Sequence, residues 1–593
     1  MTLPPGEPPG SPPAGARPHV RAGERWRTLP TERTVIAVTR TLTSTVRALD
    51  ALTPALRDDP RVDVLFTHDP NSAFGEGVPE LLRAAGVRTL PWAELPHTPC
   101  DLLVTATENV DLSTRATATT APVLVLPHGV GFHKHVPDSR SSADRVSGVV
   151  QEELLLSGRA WLALSHPDQA DQLAALHRAT VGRTLVVGDP AYDQLLAGRA
   201  LRSAYREALG AADGQRLVTL TSTWRAQSLL GSDPGLPARL LSQLPCDEYR
   251  VALVTHPNIR AWHGKWGLGT VLASACEAGL VRVPPVPSYG WQGALLAADV
   301  VVGDHGSVTF YAAALGIPVL LASFGEEAVP GTPLAELGRL APRLNDGEPL
   351  DRQVRRAVDE HDRETLMKIG ASALAEPGQA ADRLREALYG LLQLPQPTQP
   401  APSHRPAHPG APLSSPALTR RPLPAPEPVE VPARPLTSTV VATAVDGEET
   451  EGQRVTVRRF PAPTAPELPD EEPHFRHLAV SEDERDPGLR QSASVLLRGG
   501  QARNTTAAGL WARTTLARYP GCLLAAASLP GNGCLVRLRD GRTVTTTATG
   551  HALDAGLHAA VVYARLRSGT ALEGAVTLRC GAREEDVEIR ARP

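Results

Sequence analysis

The apolar residues of the chain fall into short runs separated by amphipathic stretches, and from Thr34 onward the two alternate regularly. TVIAV (34–38), VDVLFTHD (62–69), DLLVTAT (101–107) and APVLVLPHG (121–129) have strand length and no polar face. Helical patterns near 42–57 and 77–86 lie among the first of them. Strands that are apolar on both faces belong to a parallel sheet covered by helices on each side, and the strand–helix alternation predicts the same arrangement. RAWLALSHPDQADQLAAL (159–176) and RTLVVGDPAYDQLL (183–196) extend the series. A second series opens at RLVTLTSTWR (216–225) and runs through YRVALVTHPN (249–258), a helix near 269–278 and LVRVPP (280–285). It ends in ALLAADVVVGDHGSVTFYAAALGIPVLLASF (294–324), which reads helix, strand, loop, helix, strand. A helical stretch near 351–393 closes it. The expectation is an α/β pair of Rossmann-like lobes, 33–200 and 201–393, with a central cleft.

Composition changes this picture at both flanks. The 593 residues include 56 prolines against 7 phenylalanines, and the prolines concentrate where the periodicity stops. Residues 1–32 are read as a disordered leader, because such a segment has too little apolar area to offset chain ordering. Residues 394–472, with LPQPTQPAPSHRPAHPGAPLSSP at their start, are read as a Pro-rich extended linker. Ordinary composition returns over 473–593, where helical patterns precede strand-like runs, and a small α+β domain of unassigned role, open to binding a protein, is expected there. The leader lacks the apolar core of a signal peptide and no run approaches a membrane span, so a cytoplasmic location is expected. A formal net charge of −4 offers no global attraction to phosphate backbones and argues against a nucleic-acid partner. The six cysteines form no CxxC pair and have no histidines at ligand spacing, so free thiols, no metal and no cofactor are expected.

Candidate chemistry collects at strand ends. In GDHGSVTF a strand passes through a small polar loop into a helix near Ser307, the place where open α/β sheets bind ligands. The free N–H groups and positive dipole end of that helix, with the Ser307 and Thr309 hydroxyls, suit a phosphate; an ordinary N-cap at Ser307 is the competing reading. Three further strand ends deliver polar groups in the same way: PHG (127–129), TSTWR (221–225) and THPN (255–258). In a bilobed α/β protein these ends face one cleft, so His128 of the first lobe is expected to oppose His256, Arg225 and Ser307 of the second. His166, Asp189 and Tyr192 follow other strands and are placed beside the cleft by position alone. The FHKH cluster, with His133, Lys134 and His135, is read as a solvated loop.

The ordered set PHG with His128, TSTWR with Thr223 and Arg225, THPN with His256, and DHGS from Asp304 to Ser307 resembles the motifs of CDP-glycerol glycerophosphotransferases, the enzymes of teichoic-acid polymer synthesis. The resemblance covers about residues 100–325. It implies the GT-B architecture, and displacement at the phosphorus of a nucleotide-activated small-molecule donor by a hydroxyl acceptor, lipid-linked or not, with peripheral membrane association open. In that scheme His128 is the general base, His256 and Arg225 neutralise phosphate charge, Thr223, Ser307 and Thr309 bind the donor, and Asp304 orients a neighbour. The sequence departs from the family pattern at His305 and Gly306, which stand for an aromatic residue and a serine, and at Ser222, which stands for a proline. Two alternatives stay open: a UDP-sugar epimerase or ordinary glycosyltransferase on the same architecture, and an inactive nucleotide-binding scaffold acting through its C-terminal domain.

Overall fold

The computed structural model describes residues 28–29, 31–56, 59–110, 112, 120–137, 144–212, 214–245, 248–284, 290–398, 437–444, 453–460, 475–483, 487–550, 553–580 and 583–592. The leader therefore lies almost wholly outside the described residues. Strands β1 (Arg33–Thr39), β2 (Val62–His68), β3 (Arg88–Thr89), β4 (Leu102–Thr105), β5 (Val123–Val125), β8 (Ala160–Leu164) and β9 (Thr184–Val186) form one parallel sheet in the order β3-β2-β1-β4-β5-β8-β9. A short antiparallel pair, β6 (His135–Pro137) and β7 (Asp144–Val146), stands apart from it. The second sheet, also parallel, has the order β12-β11-β10-β13-β14, from β10 (Arg216–Ser222), β11 (Tyr249–Thr255), β12 (Val281–Arg282), β13 (Val300–Gly303) and β14 (Val319–Leu321).

The strands read as continuously apolar because each feeds two cores. Along β1, Val35 and Ala37 pack into one cluster, while Ile36 and Val38 enter the cluster on the opposite face. In the second lobe Val301 of β13 joins one cluster, and Val300 and Val302 join the other. The period of two that sorts side chains to alternate faces is thus present, with both faces dry.

The predicted terminal helical stretch divides into Leu350–Asp359, Arg363–Ala371 and Ala380–Leu392. The last of these crosses back to the first lobe, where Leu384, Leu388, Tyr389 and Leu392 join its core. Arg385 donates to the carbonyls of Ala55 (2.9 Å) and Pro54 (3.1 Å), at the C-terminal end of the Leu42–Ala55 helix. These carbonyls belong to a turn that has no further helical N–H to accept from.

Two expectations are corrected. The helix placed near 269–278 is the tail of a longer helical region, Pro257–Val271 followed by Ala273–Glu277, that begins directly at the THPN strand end. The second concerns the linker's bounds: the C-terminal domain is α+β as expected, its nine strands among the described residues closing into a barrel with helices Thr505–Arg518 and Ala555–Ser568. Two of its strands, Thr437–Ala444 and Gln453–Phe460, come from the stretch read as linker. QRVTVRRF alternates polar with apolar only over its middle and TSTVVATA groups its polar and apolar residues, so neither stood out from the proline-rich surroundings.

Candidate functional site

A cavity of about 480 Å³ opens between the lobes. Its walls are the C-terminal ends of β5, β10, β11 and β13, so the four strand ends singled out in the sequence converge: His128, Thr223, Arg225, His256, Asp304 and Ser307 all line it. The lobes meet closely here. A Cβ on Gly129 would lie 2.5 Å from the Ser307 hydroxyl, so only glycine lets the His128 loop rest on the start of the Ser307–Ala314 helix. That helix has Gly306 as its N-cap and no side-chain cap, which leaves its first turn to whatever enters the cavity. Ser307 is therefore the first helical residue and not the cap.

The two histidines come from opposite lobes and hold complementary tautomers. His128 Nδ1 lies 2.9 Å from the Ala106 carbonyl; a carbonyl only accepts, so Nδ1 carries the hydrogen and Nε2 carries the lone pair. His256 is the N-cap of the Pro257–Val271 helix, and its Nδ1 accepts from the Asn258 N–H at 3.1 Å. Its hydrogen is therefore on Nε2. Burial, with His128 and Lys134 nearby, pushes the His256 pKa down to about 3. His256 is thus a neutral N–H donor, and the expectation that it contributes positive charge is corrected to that extent.

Asp304 is an organising group. One of its oxygens accepts from the Thr223 N–H (2.8 Å) and the Leu229 N–H (2.9 Å), the other from the Gly306 N–H (2.8 Å). Two loops, 223–229 after β10 and 304–306 after β13, are fixed by one buried carboxylate. Thr309 is fully buried and shares a 2.8 Å hydrogen bond with Thr221. A Cβ on Gly303 would fall 2.3 and 2.4 Å from these two hydroxyls, so the pair packs under the strand end.

Arg225 has a left-handed backbone (φ 83°), lies 4.6 Å over the Trp224 ring and donates to Glu327 at 3.0 Å. Glu327 also receives His305 Nε2 at 3.3 Å, while His305 Nδ1 accepts from the Gly325 N–H. Burial pushes the Glu327 carboxyl up, but the His305 hydrogen bond and Arg225 outweigh it and bring it down to about 2. Sequence reasoning missed Glu327, whose partners lie 102 and 22 residues away.

The FHKH segment is not a solvated loop. His133 is 2% exposed, and burial with Lys134 beside it lowers its pKa to about 3. Lys134 pairs in an isolated antiparallel bridge with Ala328, the His135 N–H donates to the Glu327 carbonyl (2.7 Å), and the Val329 N–H donates to the His133 carbonyl (2.9 Å). First-lobe backbone is thereby stitched to the second lobe at the cavity edge. With three polar residues in a row between Phe132 and Val136, the segment carries no period-two pattern that would have marked it as a strand.

His166, Asp189 and Tyr192 do not line the cavity. His166 Nδ1 accepts from the Asp168 N–H. Asp189 caps the Pro190–Gly198 helix and accepts from the Tyr311 hydroxyl at 2.6 Å, with Arg47 at 3.6 Å. Tyr192 donates to the Ala314 carbonyl at 3.0 Å. Asp189 and Tyr192 belong to the joint between the lobes, whereas the partner of His166 lies within the first lobe. Among the described residues no group of three His, Cys, Asp or Glu side chains is placed to hold a metal ion.

Two facing parallel sheets with a ligand-sized cleft at their strand C-termini have the GT-B architecture of paired Rossmann-like lobes. Among solved structures, the wall teichoic acid polymerase TagF matches with a TM-score of 0.41 and 11% identity, over 61% of this chain and 89% of that one. UDP-GlcNAc 2-epimerase from Neisseria meningitidis bound to UDP-GlcNAc matches with a TM-score of 0.38 and 13% identity, over 61% and 99%. A further UDP-N-acetylglucosamine 2-epimerase gives 0.38 and 13%, over 62% and 100%. No family profile and no curated protein sequence matches the chain.

Proposed function

We propose that the chain transfers a glycerol-phosphate-like group from a nucleotide-activated donor, CDP-glycerol in the first instance, to a hydroxyl acceptor. The observation that carries this reading is the pair of imidazoles facing each other from opposite lobes beside an uncapped helix start. His128 Nε2 is the lone-pair nitrogen, so it accepts the proton of the attacking hydroxyl while Nδ1–H stays on the Ala106 carbonyl. The new P–O bond forms from that oxygen. The bond from phosphorus to the bridging oxygen breaks, and the nucleoside monophosphate leaves with that oxygen. His256 Nε2–H and the N–H groups of the Ser307 turn hydrogen-bond the charge that builds on the phosphates, and Arg225 and Thr223 lie within the same cavity.

The epimerase alternative has less support. Carboxylates suited to proton abstraction would need to be free, whereas of the four that line the cavity Asp50 lies beside the Arg47 guanidinium, Glu108 pairs with Arg145, Asp304 holds three N–H groups and Glu327 holds two side chains. The test is a thermal-shift screen of the full chain against CDP-glycerol, CMP, UDP and UDP-sugars, followed by product analysis with glycerol-bearing acceptors. Stabilisation by the cytidine compounds that is lost in His256→Asn, with release of CMP that needs His128, supports transfer. Stabilisation by UDP-sugars alone would overturn it.

A further inference from the structure

Five lysine and arginine side chains line the cavity: Arg40, Arg47, Lys134, Arg145 and Arg225. The four arginines are committed to partners within the protein. Arg40 lies 3.4 Å from Asp69, Arg47 donates to the Tyr311 hydroxyl at 3.1 Å, Arg145 donates to Asn109 Oδ1 at 2.7 Å, and Arg225 donates to Glu327 at 3.0 Å. The Lys134 ammonium, by contrast, makes no hydrogen bond or ion pair with any described residue. Burial lowers its pKa, and the carboxylates of Asp304 and Glu327 oppose that shift. Neither carboxylate binds it, since Asp304 holds three N–H groups and Glu327 holds Arg225 and His305. Three N–H donors on a buried cation are left without an acceptor, an arrangement that costs stability unless an anion supplies one.

The backbone fixes where that ammonium starts from. Lys134 pairs with Ala328 in the bridge between the lobes, and its carbonyl accepts from the Ser147 N–H at 2.8 Å. The side chain leaves the same first-lobe segment as His128, yet its charge bears on Asp304, Glu327 and Arg225 of the second lobe. It also adds to the burial that lowers the His256 pKa. We propose that Lys134 clamps the outer phosphate of a nucleotide-activated donor, the one farther from the nucleoside; that this is the phosphorus under attack rests on the transfer reading. An ammonium on a flexible stem, with three rotatable donors, follows phosphate oxygens as they move, whereas a paired guanidinium is held in one plane. His256 is neutral and Arg225 is already paired with Glu327, so Lys134 brings positive charge that neither supplies to the charge developing on the phosphates.

The test is calorimetric titration of the full-length chain with CMP, CDP, UMP and UDP, in which the terminal phosphate of each diphosphate stands for the outer phosphate of the donor. The wild type is expected to bind CDP more tightly than CMP. Lys134→Met is expected to lose that preference, with CDP weakened on the order of tenfold and CMP nearly unchanged. A side chain that merely supported the fold would weaken both alike. Lys134→Arg keeps the charge and is expected to recover part of the preference. Lys368→Met, at a side chain 73% exposed on the Arg363–Ala371 helix, leaves both affinities unchanged. Lys134→Gln serves should the methionine variant misfold, and the melting temperature of each variant establishes that it is folded. A folded Lys134→Met that still prefers CDP overturns the inference, as does a wild type that prefers the diphosphate of neither nucleoside. A wild type that ignores cytidine compounds but binds UDP over UMP through Lys134 overturns the transfer reading and leaves Lys134 as the clamp on the outer phosphate, so the two failures are distinct results.

Discussion

His256 caps a helix through Nδ1 and presents Nε2–H to the cavity, so two substitutions divide its roles. Asparagine is among the best N-caps, and His256→Asn is expected to melt close to the wild type, whereas His256→Ala loses a cap and about 1 kcal/mol. Both are expected to lose stabilisation by CDP-glycerol in a thermal-shift assay. A full shift retained in His256→Asn would show that the imidazole does not touch the donor. Gly129 offers a second test of the lobe contact. With Ser307 Oγ 2.5 Å and Ser307 Cβ 3.2 Å from the added methyl, Gly129→Ala is expected to cost about 1–3 kcal/mol. Adding Ser307→Ala removes the nearer atom, so the double variant should recover part of the loss in urea unfolding; strict additivity would mean that the loops move apart freely. His128, His256 and Arg225 were legible at this scale because each follows a strand end. Glu327 was not, since no local pattern marks a carboxylate whose partners arrive from Arg225 and His305.

At the scale of elements, strands announced themselves through apolar runs that serve two cores, as in β1 and β13. The Pro257–Val271 helix did not. It carries three glycines and few apolar residues, and Gly264 breaks its geometry with φ 69°, so its periodicity is blurred. Its start was nevertheless written in the chain: a capping side chain at His256 followed by proline at the first helical position. The loop that organises the cavity floor depends on Asp304, which ties the β10 and β13 ends together through three N–H bonds. An amide in its place retains one acceptor oxygen and points two N–H donors at other donors. Asp304→Asn is therefore expected to cost about 2 kcal/mol of stability, read from the urea midpoint at unchanged slope. Its thermal shift with nucleotides should fall as well, because the Ser307 turn is no longer held. Unchanged stability would show that the loops hold their shape by packing alone.

For the molecule as a whole, the buried imidazoles set how stability follows pH. His133 and His256 lie at the cleft with pKa values of about 3, and His558 lies inside the barrel at about 4, each pushed down first by burial. His558 keeps one hydrogen bond, from Nδ1 to Thr546 at 2.9 Å, and its Nε2 has no partner among the described residues. The unfolded chain takes up protons at these positions from about pH 6.5 downward, the folded chain only near pH 3–4. The unfolded state therefore binds more protons throughout that window, and stability falls as pH drops below 6.5. Glu327 works in a lower window: its folded pKa of about 2 against 4.5 unfolded means that its contribution is lost only as pH falls through the carboxylate range. The melting temperature is accordingly expected to decline between about pH 7 and pH 5, before carboxylates enter. His133→Phe removes a titrating ring and keeps an aromatic one against Phe310, 5.7 Å away. It should flatten that decline while leaving the loss below about pH 4.5 in place, since Glu327 is untouched. An equally steep decline in His133→Phe would show that this imidazole already takes up its proton in the folded state, and that the FHKH segment opens to water before the lobes unfold.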